Sequence, residues 1–172
     1  MAAFDAVVTD LDGTVVRADG TVSDATLLAA RTLAERGVPL LAATARTPAG
    51  VTALEELAPH LAFAVCCSGA VGWVPGAATP AWCERLPRDT MTDLIGFLTR
   101  ELPAAAMAAF DNRQWRMNAA YQVMRPNTHR GPIAAMADAP AEVLAAATHR
   151  TASVEDDGFA RTLESLGLLT PA

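Results

Sequence analysis

Asp10 and Asp12 stand two residues apart at the carboxyl end of a short apolar, β-branched run, Ala6-Val-Val-Thr9, and Gly13 follows them. Two carboxylates at that spacing on a strand end project to the same side and repel when both are ionised. That favours a bound cation, a raised pKa on one member, or both. Such a pair suits covalent phosphoryl transfer, in which one carboxylate attacks phosphorus while its neighbour protonates the leaving oxygen and later activates water. Gly13 allows a sharp turn that brings backbone N–H groups towards a phosphate. A solvated surface turn could carry the same short string; the apolar strand before it and Thr14-Val-Val16 after it favour the chemical reading.

The elements around this pair alternate regularly over the first seventy residues. Ser23 caps a helix from Asp24 whose apolar face is Leu27, Leu28, Ala30, Leu33 and Ala34, and Gly37 ends it in a left-handed conformation. A second apolar run, Val38 to Ala43, stops at Thr44. Thr47 and Pro48 read as cap and first-turn proline of another helix, with Val51, Leu54 and Leu57 on one face. A third run, Leu61 to Cys67, stops at Ser68-Gly69. Strand, helix, strand, helix, strand predicts an α/β fold with a parallel sheet and right-handed crossovers. Each strand then ends in a polar group (Asp10, Thr44, Ser68) at the edge where open parallel sheets bind ligands.

Beyond Gly72 the character changes. Trp73 to Cys83 is punctuated by Gly and Pro and reads as a loop or hairpin. Asp89 to Leu102 has Met91, Leu94, Ile95, Leu98 and Leu102 at helical spacing. Ala104 to Phe110 and Gln114 to Val123 flank a candidate hairpin turn at Asp111-Asn-Arg113, with mixed elements from Ala139 to Arg150 and from Asp156 to Leu166. The expected division is residues 1–85 as the parallel-sheet part and residues 86–172 as a smaller α+β unit.

Composition narrows the partners. The formal net charge is -6 and all 13 basic residues are Arg, so an acidic chain without a basic block disfavours nucleic acid as a partner. Apolar residues at 52% and charged residues at 19% provide for a buried core and argue against general disorder. Cys66, Cys67 and Cys83 lack metal-type spacing, the adjacent Cys66 and Cys67 in their apolar run read as small buried hydrophobes, and His60, His129 and His149 lack ligand spacing too. No positive region precedes an apolar stretch at the amino terminus, as a signal peptide would require. The uncharged run from Leu61 to Cys83 is broken by Gly69, Gly72, Pro75, Gly76 and Pro80, which excludes a membrane helix there. The expected setting is soluble, reducing and cytoplasmic. No Gly-x-Gly-x-x-Gly follows the first strand, so a dinucleotide-binding fold of that type is excluded.

Val7-Val-Thr-Asp-Leu-Asp-Gly-Thr-Val-Val16 resembles the first motif of the haloacid dehalogenase (HAD) superfamily, in the form typical of its phosphatases and phosphomutases. The resemblance implies that Asp10 is the nucleophile and a Mg²⁺ ligand. It makes Asp12 the general acid/base, with its backbone carbonyl also on the metal. Leu40-Leu-Ala-Ala-Thr-Ala-Arg46 is similar to the second motif of the Cof-like branch, with Ala45 in place of the usual Gly. Thr44 would then donate its hydroxyl to the transferring phosphoryl group, helped by the next backbone N–H. Cys67-Ser-Gly-Ala70 resembles the branch's Asn-Gly-Ala segment, with Ser68 in place of Asn. Gly13, Thr44, Ala45, Arg46, Ser68 and Gly69 thus form the expected substrate-binding set. The implied fold is a HAD-like Rossmannoid sheet with helices on both faces and an inserted α+β cap. Arg113, Arg116, Arg125 and Arg130, with His129 and no acidic residue between Asn112 and Ala137, fit a cap that attracts a phosphorylated substrate.

Two further parts of the family pattern are a basic residue, usually Lys, that steadies the nucleophile, and a late acidic motif that completes the metal site. The sequence has no Lys. Glu155-Asp-Asp-Gly158 reads more simply as the start of a helix running to Leu166, because carboxylates suit its positive end. The expectation is therefore a chain cut off inside or just after the cap. The expected function is Mg²⁺-dependent hydrolysis of a small phosphorylated metabolite such as a sugar phosphate. The alternative is a non-catalytic remnant that binds phosphate or a partner protein through an exposed core edge.

Overall fold

The computed structural model describes residues 4–110, 115–121 and 151–169. The described residues fall into two compact units, one built from Met1–Cys83 with Ile133–Ala172 and the other from Glu84–Pro132.

In the first unit, strands β1 (Val7–Thr9), β2 (Leu40–Ala43) and β3 (Leu61–Cys66) pair in parallel, Val7 against Leu40 and Ala42 against Ala64. Strands β4 (Val71–Trp73) and β5 (Trp82–Cys83) continue the sheet antiparallel, in the order β1-β2-β3-β4-β5. The Gly/Pro-punctuated stretch after Gly72 is thus a hairpin connection. Gly72 itself leaves no room for a side chain, because the Trp82 ring lies over it.

Local chemistry sets the helices. Helix α1 (Asp24–Glu35) is capped by Ser23, whose Oγ accepts the Thr26 N–H at 3.2 Å, and Gly37 closes it at φ 69°. Helix α2 (Pro48–Thr52) is capped by Thr47, whose hydroxyl accepts the Gly50 N–H at 3.1 Å, with Pro48 in the first turn. It is shorter than the apolar spacing implies, yet Val51, Leu54 and Leu57 are all buried. Leu27, Ala30 and Leu33 from α1, Leu40 and Ala42 from β2, and Ala64 and Cys66 from β3 share one core with Leu11, Val15 and Val16. Burying these side chains supplies the main drive for folding.

The carboxyl-terminal helix α4 (Gly158–Ser165) joins this same core. Its Phe159, Ala160 and Leu163 are buried, and Arg36 Nη1 donates to the Leu168 carbonyl at 2.9 Å. The expected single unit over 86–172 is therefore divided among the described residues: residues 151–169 fall in the sheet unit, because the apolar face of α4 is buried against it and α1. Strand β1 lies at the edge of the sheet, with Val8 66% exposed.

The second unit holds helix α3 (Arg88–Glu101) and the antiparallel pair β6 (Ala108–Phe110) and β7 (Trp115–Met117). The predicted helix and hairpin are both present. The Asn118 side chain ties the hairpin base by accepting from Met107 N at 3.0 Å and donating to the Ala105 carbonyl at 2.8 Å. The Asp111-Asn-Arg113 turn, the elements from Ala139 to Arg150, and Arg113, Arg125, Arg130 and His129 lie outside the described residues; Arg116 is exposed on β7. Among the described residues no helix is long and apolar enough to cross a membrane.

Candidate active site

The carboxyl ends of the three parallel strands meet at an open cleft of about 410 Å³, lined by Asp10, Ala43, Thr44, Ala45, Val65, Ser68 and Gly69. Asp10, from the end of β1, is accessible at its mouth. Partial burial nevertheless raises the Asp10 pKa above the ordinary carboxylate value; the Leu11 N–H opposes the shift, the Asp12 charge adds to it and the Arg46 charge opposes it. Thr44, 6% exposed, sits at the end of β2. Its hydroxyl oxygen accepts the Arg46 N–H at 3.1 Å, so its own O–H proton remains available to donate towards the cleft.

Backbone hydrogen bonds fix the two loops relative to each other. Thr44 N donates to the Val65 carbonyl at 2.9 Å, Cys67 N to Arg46 at 2.9 Å, and Ser68 N to Thr44 at 3.1 Å. To meet them, Cys67 and Ser68 take φ 52° and 53°, a left-handed conformation disfavoured for L side chains; the following Gly69, at φ 104°, has no Cβ to strain. Strain of this kind persists where surrounding structure over-determines it.

Three of the sequence-derived residues are placed differently from expectation. Gly13 does take a positive φ, 80°, but its N–H donates to the Val16 carbonyl at 2.9 Å and is not presented to a phosphate. Thr14, Val15 and Val16 likewise turn their N–H groups onto the Leu11 carbonyl, at 3.2, 3.0 and 2.8 Å. Arg46 does not line the cleft. Its Nε and Nη2 grip the two carboxylate oxygens of Asp12 at 2.8 and 2.6 Å, and its Nη1 donates to the Gly50 carbonyl at 3.1 Å. Asp12 is consequently turned towards Arg46 and is absent from the cleft lining. The short side of a β-turn and the reach of a guanidinium are both invisible in a linear string, so neither outcome carried a sequence signal. Val65 and Ala43, apolar walls of the cleft, were also missed; their places at the ends of β3 and β2 were the available signal.

The acidic segment before α4 is not brought to the cleft. Arg17 pairs with Asp157 at 3.2 Å and with Glu155 at 3.5 Å, and the Asp156 carboxylate accepts from Ser153 Oγ at 2.7 Å. Asp157 precedes α4 as expected, but at φ 58° and without a side-chain capping bond, because Arg17 holds its carboxylate. Among the described residues no group of three His, Cys, Asp or Glu side chains could hold a metal ion.

A sheet of this topology gathers a carboxylate and a hydroxyl residue at the carboxyl ends of its first two strands, the edge at which open α/β sheets bind ligands. The chain belongs to the haloacid dehalogenase-like hydrolase family, whose model matches residues 7–132. The structure is similar to BT1666 from Bacteroides thetaiotaomicron, described among phosphatases of the haloalkanoate (HAD) enzyme superfamily, with TM-score 0.73 and 14% identity over 95% of each chain. It is also similar to the HAD subclass IIB sugar phosphatase BT4131, with TM-score 0.57 and 15% identity over 91% of this chain and 55% of that one. TM0651 from Thermotoga maritima gives TM-score 0.56 and 16% identity over 73% and 47%. The chain spans about half the length of the last two, and at these identities the likeness is one of fold. No curated protein matches the sequence significantly.

Proposed function

We propose that this chain is a Mg²⁺-dependent phosphomonoester hydrolase of the Cof-like kind, acting on a small phosphorylated metabolite such as a sugar phosphate. The observation that carries the reading is the shared cleft: Asp10 and Thr44 line one space at the ends of adjacent parallel strands. Family membership and the likeness to phosphatase folds support it.

The donors fit a magnesium ion that keeps most of its water. The Asp10 carboxylate and the Asp12 main-chain carbonyl would hold it, and Mg²⁺ commonly binds through one or two carboxylates plus substrate phosphate. A carboxyl whose ionised form is disfavoured by burial, as at Asp10, is also a place where a cation is welcome. When bound, the ion would neutralise charge on the phosphoryl oxygens.

The side chains divide the remaining work. An Asp10 oxygen attacks phosphorus, the ester P–O bond breaks with its electron pair on the leaving oxygen, and Asp12 supplies the proton that oxygen takes up. Water then attacks phosphorus of the aspartyl phosphate and gives its proton to Asp12, and the bond to Asp10 breaks. Inorganic phosphate and the starting carboxylate result. Thr44 donates its hydroxyl to a phosphoryl oxygen, with Ala45 and the Ser68-Gly69 turn shaping the same side of the cleft.

Release of phosphate from p-nitrophenyl phosphate and from a panel of sugar phosphates, with and without Mg²⁺, tests the reading. The expected result is Mg²⁺-dependent turnover that disappears in Asp10→Asn; full turnover in that variant would remove Asp10 as nucleophile. A second reading, phosphate binding without turnover, is favoured by the engagement of both Asp12 oxygens with Arg46. Saturable binding of inorganic phosphate by a wild-type chain that turns over none of these esters would select it.

A further inference from the structure

Cys67, Ser68 and Gly69 take left-handed conformations one after another, and Ser68 and Gly69 line the cleft. A turn of this kind holds only where its surroundings fix it. Backbone bonds from Cys67 N to Arg46 and from Ser68 N to Thr44 secure its start. Its far end is held differently: the Gly69 carbonyl accepts the indole N–H of Trp82 at 3.2 Å. Among the described residues no other side chain donates to residues 67–69. The sheet sets the indole in place. Trp82 on β5 stands opposite Gly72 on β4, and Gly72 stands opposite Val65 on β3, itself a cleft residue. Residues opposite one another share a face, and because Gly72 has no Cβ to collide with it, the ring lies over the bare backbone there. Phe63 of β3 packs on the same ring, with centroids 5.3 Å apart and planes at 31°.

We infer that Trp82 is a positioning residue for phosphate binding: its indole, laid over Gly72 and backed by Phe63, holds the Gly69 carbonyl and with it the Ser68-Gly69 turn in the shape that receives a phosphoryl group. The inference rests on the reading above that a phosphate ester enters this cleft. The peptide that follows Gly69 is engaged at both ends, its carbonyl by Trp82 and its N–H, that of Ala70, by the Cys67 carbonyl at 3.2 Å. Cutting the first bond frees that peptide to swing at a glycine, the residue with the widest choice of φ and ψ. The neighbouring Ser68 is exposed, carries a hydroxyl able to donate to an anion, and moves with it. Asp10 stands on β1, two strands from β3. The loss therefore falls on holding the phosphate, in ground state and transition state alike, more than on the bond-breaking step.

The experiment measures kcat and KM for p-nitrophenyl phosphate, and Ki for inorganic phosphate, in Trp82→Phe, which keeps an aromatic ring but has no N–H to give. KM and Ki are expected to rise together by roughly 3- to 10-fold, the worth of one hydrogen bond, with kcat changed less. Gly72→Ala, which displaces the ring and leaves the indole in the chain, is expected to raise both by a similar factor. Trp73→Phe is the control: its Nε1 donates to the Ala77 carbonyl at 3.0 Å, away from the cleft lining, so it is expected to lower the melting temperature without moving KM or Ki. Thermal melts of every variant accompany the kinetics, and the 41% exposure of Trp82 makes Trp82→Phe the variant that carries the test if Gly72→Ala does not fold. A role in stability alone would lower the folded fraction, and so the apparent kcat, with KM and Ki unmoved. That pattern in Trp82→Phe, or an equal rise of KM and Ki in Trp73→Phe, would overturn the inference while leaving an Asp10-dependent hydrolase intact. If the wild-type chain binds phosphate without turnover, the calorimetric Kd of inorganic phosphate carries the same comparison. A wild-type chain that neither turns over the ester nor binds phosphate would overturn the phosphate reading and the inference with it.

Discussion

Replacing Thr44 by Val isolates one hydroxyl at nearly constant shape. Thr44 is 6% exposed, and its backbone is bonded on both sides, from Thr44 N to Val65 and from Ser68 N to the Thr44 carbonyl, so the isosteric change leaves packing and both backbone bonds in place. Two things are lost. The Arg46 N–H, which the hydroxyl accepts at 3.1 Å, becomes unpaired in a partly buried position; that costs about 1 kcal/mol, or a fall in Tm of about 2–4 °C for a domain of this size. The donor to the phosphoryl oxygen also disappears. Removing one pre-positioned donor of this type costs on the order of 100-fold in rate, or about 2.7 kcal/mol. The two effects differ in size and are read by different assays: a thermal or urea melt for the first, and steady-state hydrolysis of p-nitrophenyl phosphate at saturating Mg²⁺ for the second. Thr44→Ser, which keeps the hydroxyl, is expected to stay within a few-fold of wild type. A folded Thr44→Val with unchanged kcat/KM would show that this hydroxyl does not meet the reacting phosphoryl group.

Two further outcomes follow from the geometry. A Cβ at Gly158 would collide with the Ala152 carbonyl, so Gly158→Ala is expected to destabilise the sheet unit by about 1–3 kcal/mol, measured as a lower urea midpoint; an unchanged midpoint would mean that the turn before α4 relaxes freely. Burial pushes the Cys66 thiol up to about 11 from its ordinary value of 9.0, so the folded state holds this proton more tightly than the unfolded chain. The resulting stability is fully present below about pH 9 and is lost as pH rises towards 11. Denaturant midpoints across that interval should fall, and fall less steeply in Cys66→Ala.

Much of the sheet unit was legible because its signals are local. Ser23 and Thr47 declare helix starts through their own hydroxyls, Pro48 needs no N–H, and Gly37 permits the left-handed closure, so each acts within a few residues of itself. The strand ends at Asp10, Thr44 and Ser68 could be placed side by side for the same reason. What escaped depends on partners far away in the chain. Arg46 finds Asp12 across 34 positions and Arg17 finds Asp157 across 140, and nothing in either string records the direction a guanidinium takes. The face of α4 formed by Phe159, Ala160 and Leu163 reads as amphipathic without saying which core it will join. Gly13 shows a subtler failure: its type correctly announced a turn, but the turn used its N–H internally.

The lashing of residues 67–68 to residues 44–46 by main-chain bonds means that only a proline at 44, 67 or 68, which lacks the donating N–H, would untie it directly. This side of the cleft is therefore shaped by the main chain more than by the identity of its side chains. Choice among guests then falls to whatever reaches over it, and an engineer who wants new selectivity should leave these loops alone and look elsewhere.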